Sequence, residues 1–176
     1  MTTLTDPAPT SREKHGYASH QIAYHWTIVG LVAFQWFLGG AMARAFGQRE
    51  AGALEATSLG GAYAHIALGS AILIVMLMRL GAKLKRPVQV APDSDHPWAR
   101  AAGRINHWLF YGVLILLPLG GLLAWFGRSE VAATLHSLLA WLLPFLIAAH
   151  VAGALVHQFV FRDNLIGRIV RSGPGT

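Results

Sequence analysis

The sequence predicts an all-α integral membrane protein, built as a four-helix transmembrane bundle. Hydrophobic residues make up 54% of the 176 residues and charged residues only 12%, whereas roughly a quarter of a typical soluble domain is charged. Four apolar segments also stand out, at about 22–46, 63–80, 105–126 and 131–161. Each is close to or above the ~20 residues that cross a hydrocarbon core. Backbone groups in lipid must bond within their own segment, which favours helices.

The four segments divide the chain into three parts. A polar tail covers 1–21 and lacks the apolar stretch of a signal peptide, so we expect the first segment to stay in the mature protein. The transmembrane domain covers 22–161, and a second tail covers 162–176. Within the domain, we expect the longest connection to be an irregular surface loop at 83–104, which contains three prolines.

The absence of cysteine limits the chemistry. Disulfides, iron–sulfur clusters and thiolate zinc sites are excluded, and so is a covalent c-type haem, which needs a C-x-x-C-H motif. The net charge of +6 would suggest a nucleic-acid partner for a soluble protein. Here the basic residues flank apolar segments, so the expected partner is membrane lipid and not nucleic acid.

The basic residues also predict the orientation. If successive helices alternate in direction, eleven of the 14 Lys and Arg residues lie on one side of the membrane and three on the other. The positive-inside rule places the richer side in the cytoplasm. Both tails and the 83–104 loop are therefore predicted to be cytoplasmic, and we call this the inner side. The three cations on the outer side are Arg44, Arg49 and Arg128.

Five histidines of the apolar segments can be sorted by depth, and each needs a partner because histidine is costly in lipid. His25 opens the first segment and His107 opens the third, both on the inner side. His65 opens the second segment on the outer side, and His136 lies near the outer start of the fourth. His150 follows 14 residues later, about 21 Å further along the helix and so in the inner half.

His136 and His150 also share a helix face, because 14 residues are close to four turns. Each has a partner at its own depth: His65 for His136, and His25 for His150. Two facing imidazoles fill the axial positions of a haem iron, and a haem with both positions filled suits electron transfer. We therefore predict two haems b, one near each surface, with these four histidines as the iron ligands.

Other interpretations remain open. The histidines could be hydrogen-bonded across helices, or could bind a metal ion, although intramembrane carboxylates are nearly absent. A small transporter without haem is disfavoured for the same reason. His107 has no depth-matched partner left, which favours a structural role, and His15, His20 and His96 are expected in solvent. Small residues near the ligands leave room for a flat macrocycle or simply permit close helix packing. They are Gly69, Ser70, Gly120, Gly121, Ala148, Ala149, Ala152 and Gly153.

Several stretches resemble the bacterial cytochrome b561 family, the short four-helix relatives of hydrogenase cytochrome b subunits. They are IAYHW at 22–26, AHIALG at 64–69, HWLFYGVLILLPLGG at 107–121, and LHSLLAW, AAHVAGALVHQ and FRDN within 135–164. Single motifs such as HW are weak. Their order and the 14-residue gap in the last segment are specific.

The resemblance implies a multi-pass protein of the bacterial inner membrane with two haems b. His25 and His150 would bind the inner haem, and His65 and His136 the outer one, as depth and face also predict. Quinone chemistry is implied too, because some members oxidise superoxide and pass the electron to ubiquinone. In those members a histidine at the position of His157 lies near the quinone, so we expect a quinone-side catalytic role for His157.

The resemblance has one departure, in the connection at 125–135. It is shorter than the outer segment that superoxide-oxidising relatives can carry, so we expect a reduced docking surface for superoxide or for a periplasmic electron donor. The outer cations Arg44, Arg49 and Arg128 could still attract an anion. They could equally pair with haem propionates or be solvated, and these two interpretations are favoured.

The favoured function is transmembrane electron transfer to a quinone, with superoxide:ubiquinone oxidoreductase as the leading activity. The alternative is a haem-bearing membrane anchor or relay subunit that docks a soluble oxidoreductase. Relatives of that kind usually carry a fifth helix, and an end soon after the fourth segment favours a stand-alone enzyme. The sequence permits a homodimer without requiring one.

Overall fold

The structure, a computed structural model, describes residues 19–85, 97–162 and 166–167. Four long helices account for nearly all of them: α1 Ser19–Glu50, α2 Ala56–Lys85, α3 Pro97–Gly127 and α4 Glu130–Phe159. Each contains a stretch of 30 or 31 residues that is long and apolar enough to cross a membrane. The prediction of an all-α, four-helix transmembrane protein is confirmed.

The helices extend beyond most ends of the apolar segments that predicted them. α2 begins at Ala56 and not at 63, and α3 begins at Pro97 and not at 105. A helix of 30 residues is about 45 Å long, whereas hydropathy detects only the part that crosses a hydrocarbon core of about 30 Å. α4 is the exception, since it ends at Phe159, before the predicted 161.

The expected irregular loop at 83–104 was predicted too long, because both of its ends are helical. Pro97 occupies the first position of α3, where a residue without an N–H loses no helical hydrogen bond. The middle of the loop and most of both predicted tails lie outside the described residues. The residues outside the described ranges include five of the basic residues counted above, namely Arg12, Lys14, Arg86, Arg168 and Arg171. They also include His15, His96, Asp163 and Asn164, and the side chain of His20 is not described either.

Two short turns connect α1 to α2 and α3 to α4. After α1, Gly52 has a φ of 70°, its N–H donates to the Arg49 carbonyl, and the Ala53 N–H donates to the Gln48 carbonyl. This is a Schellman C-cap, which requires the left-handed backbone that glycine adopts easily. Before α4, the Ser129 side chain accepts from the Ala132 N–H at 3.2 Å as an N-cap. Both turns lie at one end of the bundle, which we call the outer end after the predicted orientation.

The helices pack unevenly. α1 packs on α2, α2 on α3 and α3 on α4, whereas α4 stands further from α1 and α2. The contact between α1 and α2 is made by small residues: Ala45 and Ala62 are 0% exposed, and a Cβ added at Gly61 would lie 2.7 Å from the Ala41 Cβ. Small residues let helix backbones approach closely in a membrane.

Large apolar side chains cover the outside of the bundle. Phe37 is 82% exposed, Trp141 72% and Phe145 71%. Such a surface would aggregate in water but is expected where lipid is the solvent. The interior therefore holds the rarer polar groups, and the histidines among them form the candidate site.

Candidate functional site

The inner histidine pair joins α1 to α4. The ring centres of His25 and His150 lie 6.2 Å apart, with 45° between the ring planes. Both side chains are half-buried. They meet although α1 and α4 do not pack closely, so the two rings reach across a space between the helices.

The outer pair has the same separation. The ring centres of His65 on α2 and His136 on α4 also lie 6.2 Å apart, with 66° between the planes. His136 and His150 are 14 residues apart on α4, which is about 21 Å along the helix. The structure therefore brings together the two predicted pairs at two levels of the bundle.

The separation of each pair fits one iron ion between two imidazoles. When each ligating nitrogen lies about 2.0 Å from a metal, ring centres on opposite sides of it are about 6.3 Å apart. A direct N–H···N hydrogen bond would bring the centres to roughly 5 Å. Among the described residues, no hydrogen bond joins the rings of either pair. The observed 6.2 Å therefore favours axial ligation over hydrogen-bonded histidines.

A bare metal ion fits the described residues less well than haem. Within 19–85, 97–162 and 166–167, no group of three or more histidine or acidic side chains is arranged to hold a metal ion. Protein metal sites usually need at least three such ligands, whereas a haem needs only two because the macrocycle supplies the other four. The residues present therefore fit a haem at each level.

The His136 ring is oriented by α3. Its Nδ1 lies 2.8 Å from the Leu117 carbonyl oxygen, and a carbonyl can only accept, so Nδ1 carries the proton and donates it. The lone pair is then on Nε2, the form that binds a metal. Gly121 makes room for the ring, because a Cβ added there would lie 3.1 Å from ring atoms of His136.

The other outer ligand, His65, has a buried nitrogen that needs a partner. Its Nδ1 has no hydrogen bond among the described residues, although nearly all buried polar atoms have one. The backbone of His65 is held separately, because Gln35 Nε2 on α1 donates to its carbonyl oxygen at 3.0 Å. An imidazole fixed in place but left without a partner is consistent with ligation.

His150 lies in a more crowded inner site. Asn106 Nδ2 donates to His150 Nδ1 at 3.4 Å, and the Phe110 ring packs edge-on with centres 5.4 Å apart. Turning the Asn106 amide by 180° keeps its shape and puts the oxygen toward Nδ1. Asn106 would then accept the Nδ1–H and leave Nε2 to ligate. The sequence analysis missed Asn106, because residue spacing within α4 does not show which residues of α3 lie beside His150.

His107 lies beside the inner histidine pair at its own depth. Its ring centre lies 5.3 Å from that of His150, which is less than the 6.2 Å between the ring centres of His25 and His150. This distance is about 1 Å short of the ~6.3 Å that axial ligation requires. α3 also packs directly on α4, and these two rings are closer together than those of His25 and His150. His25 is therefore the better axial partner, and His107 is a neighbour of the site.

His157 lies among aromatic rings at the inner end. Its ring centre is 5.2 Å from that of Phe161, and Phe161 is 6.3 Å from Trp98 at the start of α3. His157 comes seven residues after His150 on α4, or about 10 Å along the helix. Aromatic surface beside an imidazole is suitable for a flat polar headgroup.

Of the three outer cations, Arg49 differs from the expectation of a solvated or propionate-bound side chain, whereas Arg44 and Arg128 are exposed. Arg49 Nη1 donates to the Trp125 carbonyl oxygen, and its guanidinium lies 4.6 Å from the centre of the Trp125 ring. Trp125 itself is 5% exposed. Arg49 therefore ties α1 to the end of α3. Arg128 lies in the short turn with a φ of 52°.

Known proteins resemble this chain over most of its length. Residues 16–172 match the family model described as prokaryotic cytochrome b561, which confirms the resemblance seen in the sequence. Cytochrome b562 of Cereibacter sphaeroides is 33% identical over 159 residues, which cover 90% of this chain and 98% of that protein. The probable superoxide oxidase CybB of Yersinia pestis is 26% identical over 180 residues, with 90% and 98% covered.

Proposed function

Because the chain belongs to the prokaryotic cytochrome b561 family, and is therefore a multi-pass bacterial membrane protein of haem b electron transfer, we propose that it carries electrons between an outer donor and a quinone through two haems. The observation that carries this proposal is the two facing imidazole pairs, each with ring centres 6.2 Å apart. One pair lies at each end of the bundle, so together they make a path across an insulating bilayer.

The four imidazoles of the two pairs are the proposed ligands of the two haems. His25 and His150 would hold the inner haem, and His65 and His136 would hold the outer one. Haem b would supply one-electron transfer when it is bound. The protein contributes the ligands, their orientation through Leu117 and Asn106, and a low-dielectric surrounding.

The quinone end is proposed at His157. Reduction of a quinone to a quinol takes two electrons and two protons, so a proton donor is needed at a quinone oxygen. The His157 imidazole can hold or transfer a proton near neutral pH, and the rings of Phe161 and Trp98 offer apolar contact for the quinone ring. Ubiquinone is the expected substrate.

Superoxide is the donor proposed for the outer end. The relative from Yersinia pestis is named a probable superoxide oxidase. Two superoxide anions would lose one electron each and leave as two molecules of O₂, which supplies both electrons for one quinol. The Arg44 and Arg128 charges at the outer end would attract the anion. Basic residues concentrated at the other end support an inner-membrane protein with both termini in the cytoplasm.

The first test is a reduced-minus-oxidised absorbance spectrum of the purified protein, with haem quantified per chain. We expect low-spin b-type bands and about two haems per chain. His136→Ala should lose only the outer haem and His150→Ala only the inner one. Each variant serves as the control for the other, since both change one imidazole of α4. Protein that binds no haem when haem supply is sufficient would disprove the proposal.

The second test concerns the quinone end. His157→Gln should lower superoxide-driven ubiquinone reduction by about 10²-fold, because general acid catalysis typically contributes that much. The haem content and spectrum should stay those of the wild type, since His157 is seven residues from the nearest proposed ligand. Unchanged quinone reduction would remove His157 from the catalytic site.

A relay subunit without a substrate of its own is the second candidate. The Cereibacter relative has the higher identity of the two, 33% against 26%, and its name specifies a cytochrome and no activity. A relay would pass electrons from a soluble oxidoreductase to the quinone through the same two haems. Purification with a stoichiometric soluble partner, together with no superoxide-driven reduction, would favour this candidate.

A further inference from the structure

Two cations of α2 lie beside the inner histidine pair. Arg79 and Lys83 are four residues apart near the inner end of α2, so they share one face of the helix. The depth of Lys83 matches that of the inner histidine pair, because Lys83 contacts Trp108, the neighbour of His107, and the His107 ring centre lies 5.3 Å from that of His150. Arg79 lies about one helical turn further into the membrane. The Lys83 ammonium lies 4.3 Å from the Trp108 ring centre and 4.7 Å from that of Tyr111. We call Arg79 and Lys83 the inner cation pair.

The inner cation pair has no acidic partner among the described residues. Only three described residues are acidic, and all three are at the outer end: Glu50, Glu55 and Glu130. Like charges four residues apart on a helix repel one another, and cations inside a membrane-spanning helix are costly unless an anion compensates them. The aromatic rings beside Lys83 compensate it only in part, because a cation–π contact leaves its N–H groups able to bond.

We propose that Arg79 and Lys83 bind the two propionate carboxylates of the inner haem, an inference that rests on the proposed function. Each haem b carries two propionates, which matches two cations in number and charge. The guanidinium of Arg79 can hold a carboxylate with two parallel N–H donors, and Lys83 binds the other as a point charge. Both residues lie on α2, which supplies no ligand to the inner haem, so α2 would hold it at the porphyrin edge.

Among the described residues, no two outer cations lie four residues apart on one helix, since Arg44 and Arg49 are five apart and Arg128 is in a turn. The proposal is therefore specific to the inner haem. Arg49 is engaged with the carbonyl and the ring of Trp125. The Arg44 guanidinium extends back along its own helix, because a Cβ added at Gly40 would lie 3.7 Å from its Nη1. Changing the inner cation pair should therefore affect the inner haem and leave the outer haem as it is.

The experiment is a potentiometric titration of the full-length protein, with haem quantified per chain. Arg79→Gln and Lys83→Gln should each lower the midpoint potential of the inner haem, because loss of a nearby positive charge disfavours the reduced, more negative state. His150→Ala identifies the inner step by abolishing it. The double variant should bind the inner haem about tenfold more weakly or worse, as loss of charged hydrogen bonds predicts. Arg79→Lys should retain part of the wild-type potential.

Lys85→Gln is the matched control. Lys85 is on the same helix at the same end, is exposed, and its loss changes the net charge by the same amount. The proposal predicts no shift of either haem in this variant. If Arg79→Gln and Lys83→Gln shift the midpoint potential of the inner haem no more than Lys85→Gln does, the proposal is wrong.

A lipid phosphate is the alternative anion for Arg79 and Lys83. Titrations with and without phospholipid distinguish it from the haem propionates. The titrations are repeated in detergent without phospholipid and in vesicles with and without phosphatidylglycerol. Propionate binding predicts that Arg79→Gln and Lys83→Gln lower the midpoint potential of the inner haem equally under all three conditions. A lowering that requires phosphatidylglycerol would overturn the proposal. Wild-type protein with fewer than two haems would instead count against the proposed function, so the two failures are distinguishable.

Discussion

The orientation of His136 depends on a single glycine of the neighbouring helix. The ring lies against α3 at Gly121 and donates from Nδ1 to the Leu117 carbonyl oxygen, one turn earlier, at 2.8 Å. A hydrogen bond of this kind fixes the tautomer and would aim Nε2 at the iron of the proposed haem. The glycine matters because a Cβ at this position would lie 3.1 Å from ring atoms of His136, so the ring would have to shift by a few tenths of an ångström.

Gly121→Ala is therefore expected to weaken the outer haem. The new Cβ would lie 3.1 Å from the ring of His136, so the ring must move and its bond to Leu117 lengthens. Binding of the outer haem should weaken about tenfold, the lower range for loss of a hydrogen bond that orients a metal-binding histidine, while the inner haem is unaffected. Haem per chain and the midpoint potential of the outer step measure this.

Gly112→Ala is the control for that change, since Gly112 lies on the same helix and a Cβ there meets nothing within 4 Å. It should leave both haems unchanged, and alanine is also the better helix former. Equal effects of the two variants would mean that helix α3 as a whole, and not the contact with His136, controls the outer haem.

The residues of the two pairs could be predicted from the sequence because helix polarity gives depth and a 14-residue interval gives face. Their neighbours could not. Asn106 and the Leu117 carbonyl meet the rings only because of the rotation of α3 about its axis, which no spacing within one helix reveals. A backbone carbonyl has no sequence signature at all. His107 shows the same limit, since its depth was readable and its contact with His150 was not.

At the scale of helices, the distances between neighbouring helices differ from one pair of helices to the next. α1 and α2 are in close contact through Ala45, Gly61 and Ala62, whereas α4 stands away from both. The close contact holds His25 and His65 on one rigid unit. α4 presents both of its imidazoles to that unit across a space between the helices, where the proposed haems would lie.

Gly61→Ala should therefore destabilise the bundle. Its Cβ would lie 2.7 Å from the Ala41 Cβ, and neither methyl can rotate away, so the two helices must separate. Overpacking of this kind costs about 1–3 kcal/mol. The midpoint of unfolding in sodium dodecyl sulfate, measured on detergent-solubilised protein, reports the loss.

Gly60→Ala provides the comparison, because Gly60 is the adjacent residue and a Cβ there meets nothing within 4 Å. It should be neutral or stabilising by up to about 1 kcal/mol. A Gly61→Ala protein as stable as Gly60→Ala would show that α1 and α2 are not in the close contact described.

The helix ends illustrate what hydropathy can predict at this scale. Apolar runs locate the part of each helix in hydrocarbon, and all four were found. The polar extensions at 56–62 and 97–104 are helical for local reasons that hydropathy ignores, such as the proline at the first position of α3. The two outer turns depend on Gly52 and Ser129, whose capping roles follow from hydrogen bonds and not from hydropathy.

The whole molecule has two chemically different ends. The outer end carries the short turns and all the described acidic residues. The inner end carries the inner cation pair, His107 and the aromatic surroundings of His157. Because the proposed donor and quinone use opposite ends, the direction in which the chain is inserted decides which compartment supplies the electrons.

The chain is expected to insert with the inner end in the cytoplasm, since eleven of its 14 basic residues belong to the sequence segments predicted on that side and three to those predicted on the other. The absence of cysteine allows a clean measurement with single cysteines at exposed positions. Ala53→Cys in the first outer turn should react with a membrane-impermeant maleimide in intact spheroplasts, whereas Ala102→Cys in α3 should react only after the membrane is opened. The reverse pattern would place His157 on the periplasmic face. Quinone protons would then be taken up outside the cell, and superoxide would have to arrive from the cytoplasm.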